Sequence, residues 1–245
     1  PVLKSAAYSM LGDALRAKNG LAAKWTPRKG KIAAEVRAFF GMTPKQYRKS
    51  LVTMTTVVET QMCAGDWDNI NFSHVPSVAA RLYKKAFNRH TPAFAEYVAK
   101  LVSGDKTVKV NASAIFPHDV LKEVITAYGP AKLDKTSTDH IVAQWDALPN
   151  YVGDASIMPI VDVSGSMSTP AGKNTNVTCM DVSVSLGLYL ADKNKGVFKD
   201  TFLTFSSKPE LVTLKGNIVD KVAQMSKSDW DMSTNLNAAM NKILD

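Results

Sequence analysis

The sequence predicts a chain in two parts: a helical region over residues 1–150, and the first half of a doubly wound α/β domain over residues 151–245. Three observations lead there. Upstream of 150, apolar residues recur at helical spacing in successive runs of about 10 to 20 residues, separated by short breaks. From Ile157 the pattern changes to alternating β-rich runs and helical stretches. The charge divides at the same place. Residues 1–150 hold 21 Lys and Arg against 12 Asp and Glu, net +9, whereas residues 151–245 hold 9 against 10, net −1.

The helical elements follow from their start and stop signals. Residues 1–23 read as one helix ending near Asn19-Gly20, with Leu3, Ala7, Met10, Leu11 and Leu15 on one face. Residues 24–30 are a break, in which Trp25, Pro27 and Gly30 stand among Lys24, Arg28, Lys29 and Lys31. Two readings fit it. An exposed Trp25 could stack on a base while the cations hold phosphate; alternatively the ring is buried and the cations are simply solvated. Burial is the expectation for Trp25, and the role of the charges stays open. Thr43-Pro44 opens a helix with an N-cap and a proline in its first turn. Tyr47, Leu51, Met54, Val58 and Met62 then form a core face.

Ser73 to Pro76 leads into a further helix whose Val78, Leu82 and Phe87 are expected to face inward. On another face of it, Arg81, Lys84, Lys85 and Asn88 line up at spacings of three and four, and Arg89 follows. This is the clearest basic stripe, and it reads either as a nucleic-acid contact or as an ordinary solvated face. Thr91-Pro92 starts a helix with Phe94, Tyr97, Val98 and Leu101 inward. Pro117 starts another, in which His118 and Asp119 read as first-turn caps rather than an acid/base pair. A last helix, residues 138–148, carries Ile141, Val142 and Trp145. Successive helices with short loops are the grammar of an α-solenoid.

Composition narrows the class. Of the 245 residues, 45% are hydrophobic and 21% charged, which is globular, and the net charge is +8. No stretch is apolar enough for a membrane span, and no leader pattern opens the chain. Cys63 and Cys179, two and far apart, imply no disulfide framework and make an intracellular, cytoplasmic location the default. The basic excess makes RNA or another nucleic acid the expected partner of the N-terminal part, unless the charge serves only to keep a helical domain soluble.

The chemistry-bearing stretch is Ile157 to Ser168. A buried strand closing on Val161 and Val163 turns into Asp162, Ser164, Gly165 and Ser166, an Asp-x-Ser-x-Ser pattern. One carboxylate and two hydroxyls at a strand end are hard oxygen ligands, which suit Mg²⁺ or another hard divalent cation. Mg²⁺ demands near-octahedral oxygen geometry and keeps several waters, so these three leave positions open for a partner. The pattern resembles the metal-ion-dependent adhesion site of von Willebrand factor A domains, and Thr234 in Ser233-Thr-Asn-Leu236 is similar to that site's threonine ligand. Its wording is close to intracellular members such as the Ro autoantigen, in which a helical-repeat ring precedes the A domain. Tyr47 to Lys49, Val58 to Met62, Trp67 to Ile70, His74 to Ser77 and Ala86-Phe87 resemble a family of plants and large DNA viruses, including phages.

The resemblance implies a HEAT-like helical domain, a metal set of Asp162, Ser164, Ser166 and Thr234, and an acidic protein partner or phosphate completing the metal shell. It also implies three further strands after residue 245, one with another Asp, expected from more of the chain or from a second subunit. Two functions follow: an RNA-binding, Ro-like ribonucleoprotein component, or a viral structural or assembly protein found in host cytoplasm or virion. Catalysis is not expected. The sequence has no Gly-x-Ser-x-Gly elbow, no phosphate loop, and no histidine placed to activate Ser164 or Ser166.

Overall fold

In the computed structural model, which describes residues 2–55, 57–112, 115–126, 129–130, 132–173, 175–227 and 234–244, packing divides the chain between Asn71 and Phe72. That is a different point from the change of pattern near 150. The first unit contains α1 (Val2–Arg16), α2 (Gly20–Trp25), α3 (Gly30–Phe39), α4 (Pro44–Met54) and α5 (Val58–Ala64). The single helix expected over residues 1–23 is two, because Asn19 restarts the chain: its side chain accepts the Ala22 N–H and caps α2. Leu3 and Met10, expected on the inward face, are exposed, and the core is Leu15, Ala23, Ala33, Val36, Tyr47 and Leu51.

Thr43 caps α4 in a reciprocal box with Gln46. The expected run from Tyr47 to Met62 is also broken, between α4 and α5. There the sequence Thr55-Thr56-Val57-Val58 stacks β-branched residues, which lose χ1 freedom in a helix. Gly65, at φ +73°, closes α5 in a conformation that favours glycine.

The second unit begins with α6 (Ser77–His90), α7 (Ala93–Val102), α8 (Pro117–Leu121), the two-residue antiparallel pair β1 (Ile125–Thr126) and β2 (Gly129–Pro130), and α9 (Lys135–Asp146). The inward face of α6 is Ser77, Ala80, Lys84 and Phe87, not the expected Val78, Leu82 and Phe87; Val78 and Leu82 are exposed. This rotation delivers Phe87 to an aromatic cluster with Phe72 and Phe94, at ring separations of 5.1 and 5.5 Å. It also brings the Lys84 ammonium to Glu123.

From residue 160 come β3 (Ile160–Asp162), α10 (Cys179–Lys193), β4 (Thr201–Phe205), β5 (Leu211–Thr213), α11 (Ile218–Met225) and α12 (Leu236–Leu244). The sheet order is β3-β4-β5. β3 runs parallel to β4, with Asp162 opposite Phe205, and β5 is antiparallel. The chain is thus mixed α/β, with a helical N-terminal part followed by helices around a three-stranded sheet. β4 is central and almost wholly buried. Its neighbour β3 is covered by α10, which approaches closely because residue 187 is glycine: a Cβ there would lie 2.4 Å from Val161 Cγ2.

One core joins Val120, Leu121, Ile141 and Trp145 from the helices to Val161, Leu188, Phe202 and Val222 from the α/β part. This shared core is why packing does not separate the two patterns at 150. Among the described residues the outer edge of β3 pairs with nothing, and Ile160 is half-exposed. Val161 of the same strand is buried under α10. Among the described residues no helix is long and apolar enough to cross a membrane.

Candidate metal centre

β3 delivers Asp162 to the carboxyl end of the sheet, and the chain then turns through a short 3-10 segment, Gly165–Ser168. The turn is tightened by the Asp162 carboxylate itself, whose Oδ1 accepts the Ser164 N–H at 2.8 Å. Ser164 Oγ and Ser166 Oγ lie 3.0 Å apart. Ser183 of α10 donates to the Asp162 carbonyl at 2.8 Å, fixing the strand end from behind. Thr169 donates its hydroxyl to the Ser166 carbonyl, and its own carbonyl accepts the Cys179 N–H, so the turn is tied to the start of α10. Asp181, the nearby carboxylate on α10, is used up in a capping box with Thr178.

Three of the four expected ligands are therefore gathered at one point. Ser164 is buried, Asp162 half-buried and Ser166 exposed, so the cluster opens to the surface at Ser166. The donor set fits a hard divalent cation. The second oxygen of Asp162 and the two hydroxyls offer hard oxygen donors, and the first oxygen is already spent in orienting the turn. Thr234 is exposed and stands one residue before Asn235, which caps the first turn of α12 through the Ala238 N–H. Among the described residues no hydrogen bond links Thr234 to the other three. Nor do the described residues contain a cluster of three or more His, Cys, Asp or Glu that could hold a metal, so a site here must rely on hydroxyl ligands.

The expected nucleic-acid residues separate into two kinds. In the first unit Arg28, Lys29 and Lys31 are exposed, while Lys24 is half-buried in an ion pair with Glu59 at 2.6 Å. Trp25, expected to be buried, is 77% exposed. In the second unit Lys85 and Arg89 are exposed, but Arg81 and Lys84 leave the stripe. Arg81 turns toward Asp119 at 3.8 Å, with its Nε buried and unbonded. Lys84 is 2% exposed, its ammonium 2.5 Å from Glu123 Oε2 at an angle outside hydrogen-bond geometry. Asp119 accepts the Phe116 N–H at the start of α8, beside His118.

Sequence reasoning missed a second charged cluster. Lys221 of α11, buried, bonds both Asp192 and Asp200, and the Trp145 indole N–H donates to Asp192 at 2.9 Å. Burial works against the charge on Asp192 and on Lys221, yet their mutual bonds win. Asp192 is held below and Lys221 above its ordinary pKa. No local motif announces this cluster, since Lys221 lies 29 and 21 residues from its two acids and Trp145 lies 47 residues from Asp192.

The chain is a mixed α/β protein with a strand-end cluster of oxygens, and comparison with known proteins sets its family. Residues 28–157 match the family described as a domain of unknown function (DUF2828), and residues 156–245 match a second domain of unknown function (DUF7788). The first match covers more than half of the chain, and the chain belongs to that family. The two matches meet just before the segment that leads into β3. The chain is also similar to the uncharacterized protein L728 of Acanthamoeba polyphaga mimivirus. Identity is 31% over 255 residues, taking in 91% of this chain and 41% of that protein, so the chain spans less than half the length of this curated relative. No solved structure matches.

Proposed function

We propose that the chain is a metal-ion-dependent binding protein of Ro-like organisation. A von Willebrand A-type site of Asp162, Ser164, Ser166 and Thr234 would hold Mg²⁺ or another hard divalent cation, and the basic helical part would bind RNA. The observation that supports the reading is the convergence of Asp162, Ser164 and Ser166 at the carboxyl end of β3, tied by contacts of 2.8 and 3.0 Å. Ligand sites in open α/β sheets lie at strand carboxyl ends. When bound, the cation supplies a Lewis-acidic point that takes an outside oxygen, from a carboxylate of an acidic partner or from phosphate. The protein's own part is to hold the turn: Ser183 fixes the strand end, and the Ser164 N–H orients the carboxylate. The free edge of β3 supports a further strand lying against it, from more of the chain or from a second subunit.

Isothermal titration with Mg²⁺ tests the metal site. The parent should show one site, Asp162→Ala should abolish it, and Thr234→Ala should weaken it. An Asp162→Ala variant that titrates like the parent would remove the proposal.

A further inference from the structure

We infer that residues 1–71 carry a site for single-stranded nucleic acid, in which a base stacks on Trp25 while Arg28, Lys29 and Lys31 hold the flanking phosphates. It rests on the nucleic-acid reading above and is independent of the metal.

The first support is the ring itself. Trp25 is the last residue of α2 and is 77% exposed, although its chain neighbour but one, Ala23, is fully buried. A tryptophan usually buries most of its large apolar surface. One turn earlier Leu21 is also exposed and extends the apolar platform.

The second support is that the platform is fixed. Thr26 donates its hydroxyl to the Ala22 carbonyl at 2.6 Å, the buried Tyr47 donates to the Pro27 carbonyl at 2.8 Å, and Arg28 donates to Thr55 Oγ1 at 2.9 Å. Three ties on three successive residues hold the turn, so binding would cost little extra ordering of its backbone.

Charge is the third. Between residues 24 and 31 there are four cations and no acid. Residues 1–71 hold 11 Lys and Arg against 5 Asp and Glu, net +6 of the chain's +8. Lys24 is neutralised by Glu59, and its ammonium sits 5.8 Å from the Trp25 ring centroid. Arg28, Lys29 and Lys31 make no ion pair among the described residues, which leaves them for phosphate.

A single strand fits better than a duplex, because an isolated ring needs a base whose face is free, and in a duplex those faces are stacked. An anionic membrane fits less well. Interfacial binding needs a substantial amphipathic helix, and α2 has six residues.

The test measures binding of the 245-residue chain to a labelled oligouridine of about a dozen nucleotides, by anisotropy, with a chelator present so that the metal plays no part. Trp25→Ala should weaken binding about 5- to 150-fold, the range one base–aromatic stack supplies. Trp25→Phe should recover most of it, and the matching duplex should bind more weakly than the single strand. Because Trp25 is exposed, the thermal midpoint of Trp25→Ala should match the parent, which separates lost stacking from lost fold. Unchanged affinity in Trp25→Ala would overturn the stacking site while leaving RNA binding intact. Equal binding of duplex and single strand would overturn it too, as would preference for phosphatidylserine vesicles over RNA. A parent chain that binds no RNA would remove both this inference and the nucleic-acid reading beneath it.

Discussion

In residues 1–71, Arg28, Lys29 and Lys31 face water near an exposed Trp25. In residues 72–245, Lys84 and Lys221 lie inside, with side chains 2% and 8% exposed, each against a carboxylate from another element. Lys84 and Lys221 sit within helices and Lys29 in the break before α3, but neither setting by itself says whether a lysine is covered. What separates them is the neighbour. Among the described residues Lys29 has no acid within ion-pair distance, whereas Lys84 meets Glu123, and Lys221 meets Asp192 and Asp200. A buried lysine is tolerable only where a carboxylate compensates its lost hydration. Basic residues of this chain therefore divide into ligand-facing and fold-holding sets, and mutation can tell them apart.

The largest contrast should come from Lys221→Met set beside Lys29→Met. Removing the Lys221 ammonium leaves Asp192 and Asp200 facing each other in a poorly solvated site. Breaking a buried pair by deleting one partner costs about 3–5 kcal/mol. The two acids remain 17% and 24% exposed, which puts the loss toward the lower figure. Lys29→Met, on an exposed turn, should move stability by no more than about 0.5 kcal/mol. Urea unfolding of both variants measures the difference, and equal midpoints would erase the distinction between the two regions.

A pH effect of nearly the same size is expected from His140. It is fully buried on α9 against the Phe94 ring, at 5.2 Å, and its Nδ1 has no partner. Burial, aided by the charge of Lys84, lowers its pKa to about 4 from the ordinary 6.5. The unfolded chain therefore takes up a proton on this residue before the folded one does. The contribution is complete above pH ~6.5 and is lost as pH falls toward ~4, amounting to about 3 kcal/mol in all. His140→Phe should flatten that part of the profile. The first unit has no histidine, so no comparable step should arise there. A stability profile that stays unchanged in His140→Phe between those pH values would show that the imidazole is not held neutral.

How far these features could be read in advance depended on whether their cause was local. The strand-to-turn passage through Asp162, Ser164 and Ser166 was legible because one residue's carboxylate bonds the backbone two residues on. The Thr43-Pro44 helix start was legible for the same reason. The break between α4 and α5 was present in the sequence as a β-branched run but was hidden by a helical spacing that continued across it. The inward face of α6 was misread because hydrophobicity was used to orient the helix. Its orientation depends instead on Glu123 and on the Phe72–Phe94 cluster, which are remote in sequence. Trp25 went the other way: a residue type that is normally buried stands exposed here. Local pattern carries no information about whether a neighbour arrives to cover it.

The smallest effect is also the most specific, because it sets two adjacent residues against each other. Lys84 and Lys85 share a helix and a charge, but one is buried against Glu123 and the other is in water. Lys84→Gln keeps the length and removes the charge, leaving Glu123 with a neutral neighbour. Glu123 is 27% exposed and retains some hydration, so the loss should be about 2 kcal/mol, below that of a fully enclosed pair. Its effect on oligouridine affinity, measured well below the unfolding transition, should be negligible. Lys85→Gln should do the reverse. Stability should stay within about 0.5 kcal/mol, and if the exposed face of α6 contacts phosphate, the slope of log affinity against log salt should fall by about one. The decisive outcome is a Lys84→Gln chain that is fully stable yet binds RNA more weakly than Lys85→Gln. That would mean the Lys84 ammonium swings out to the ligand, and α6 would by itself be a phosphate-binding surface.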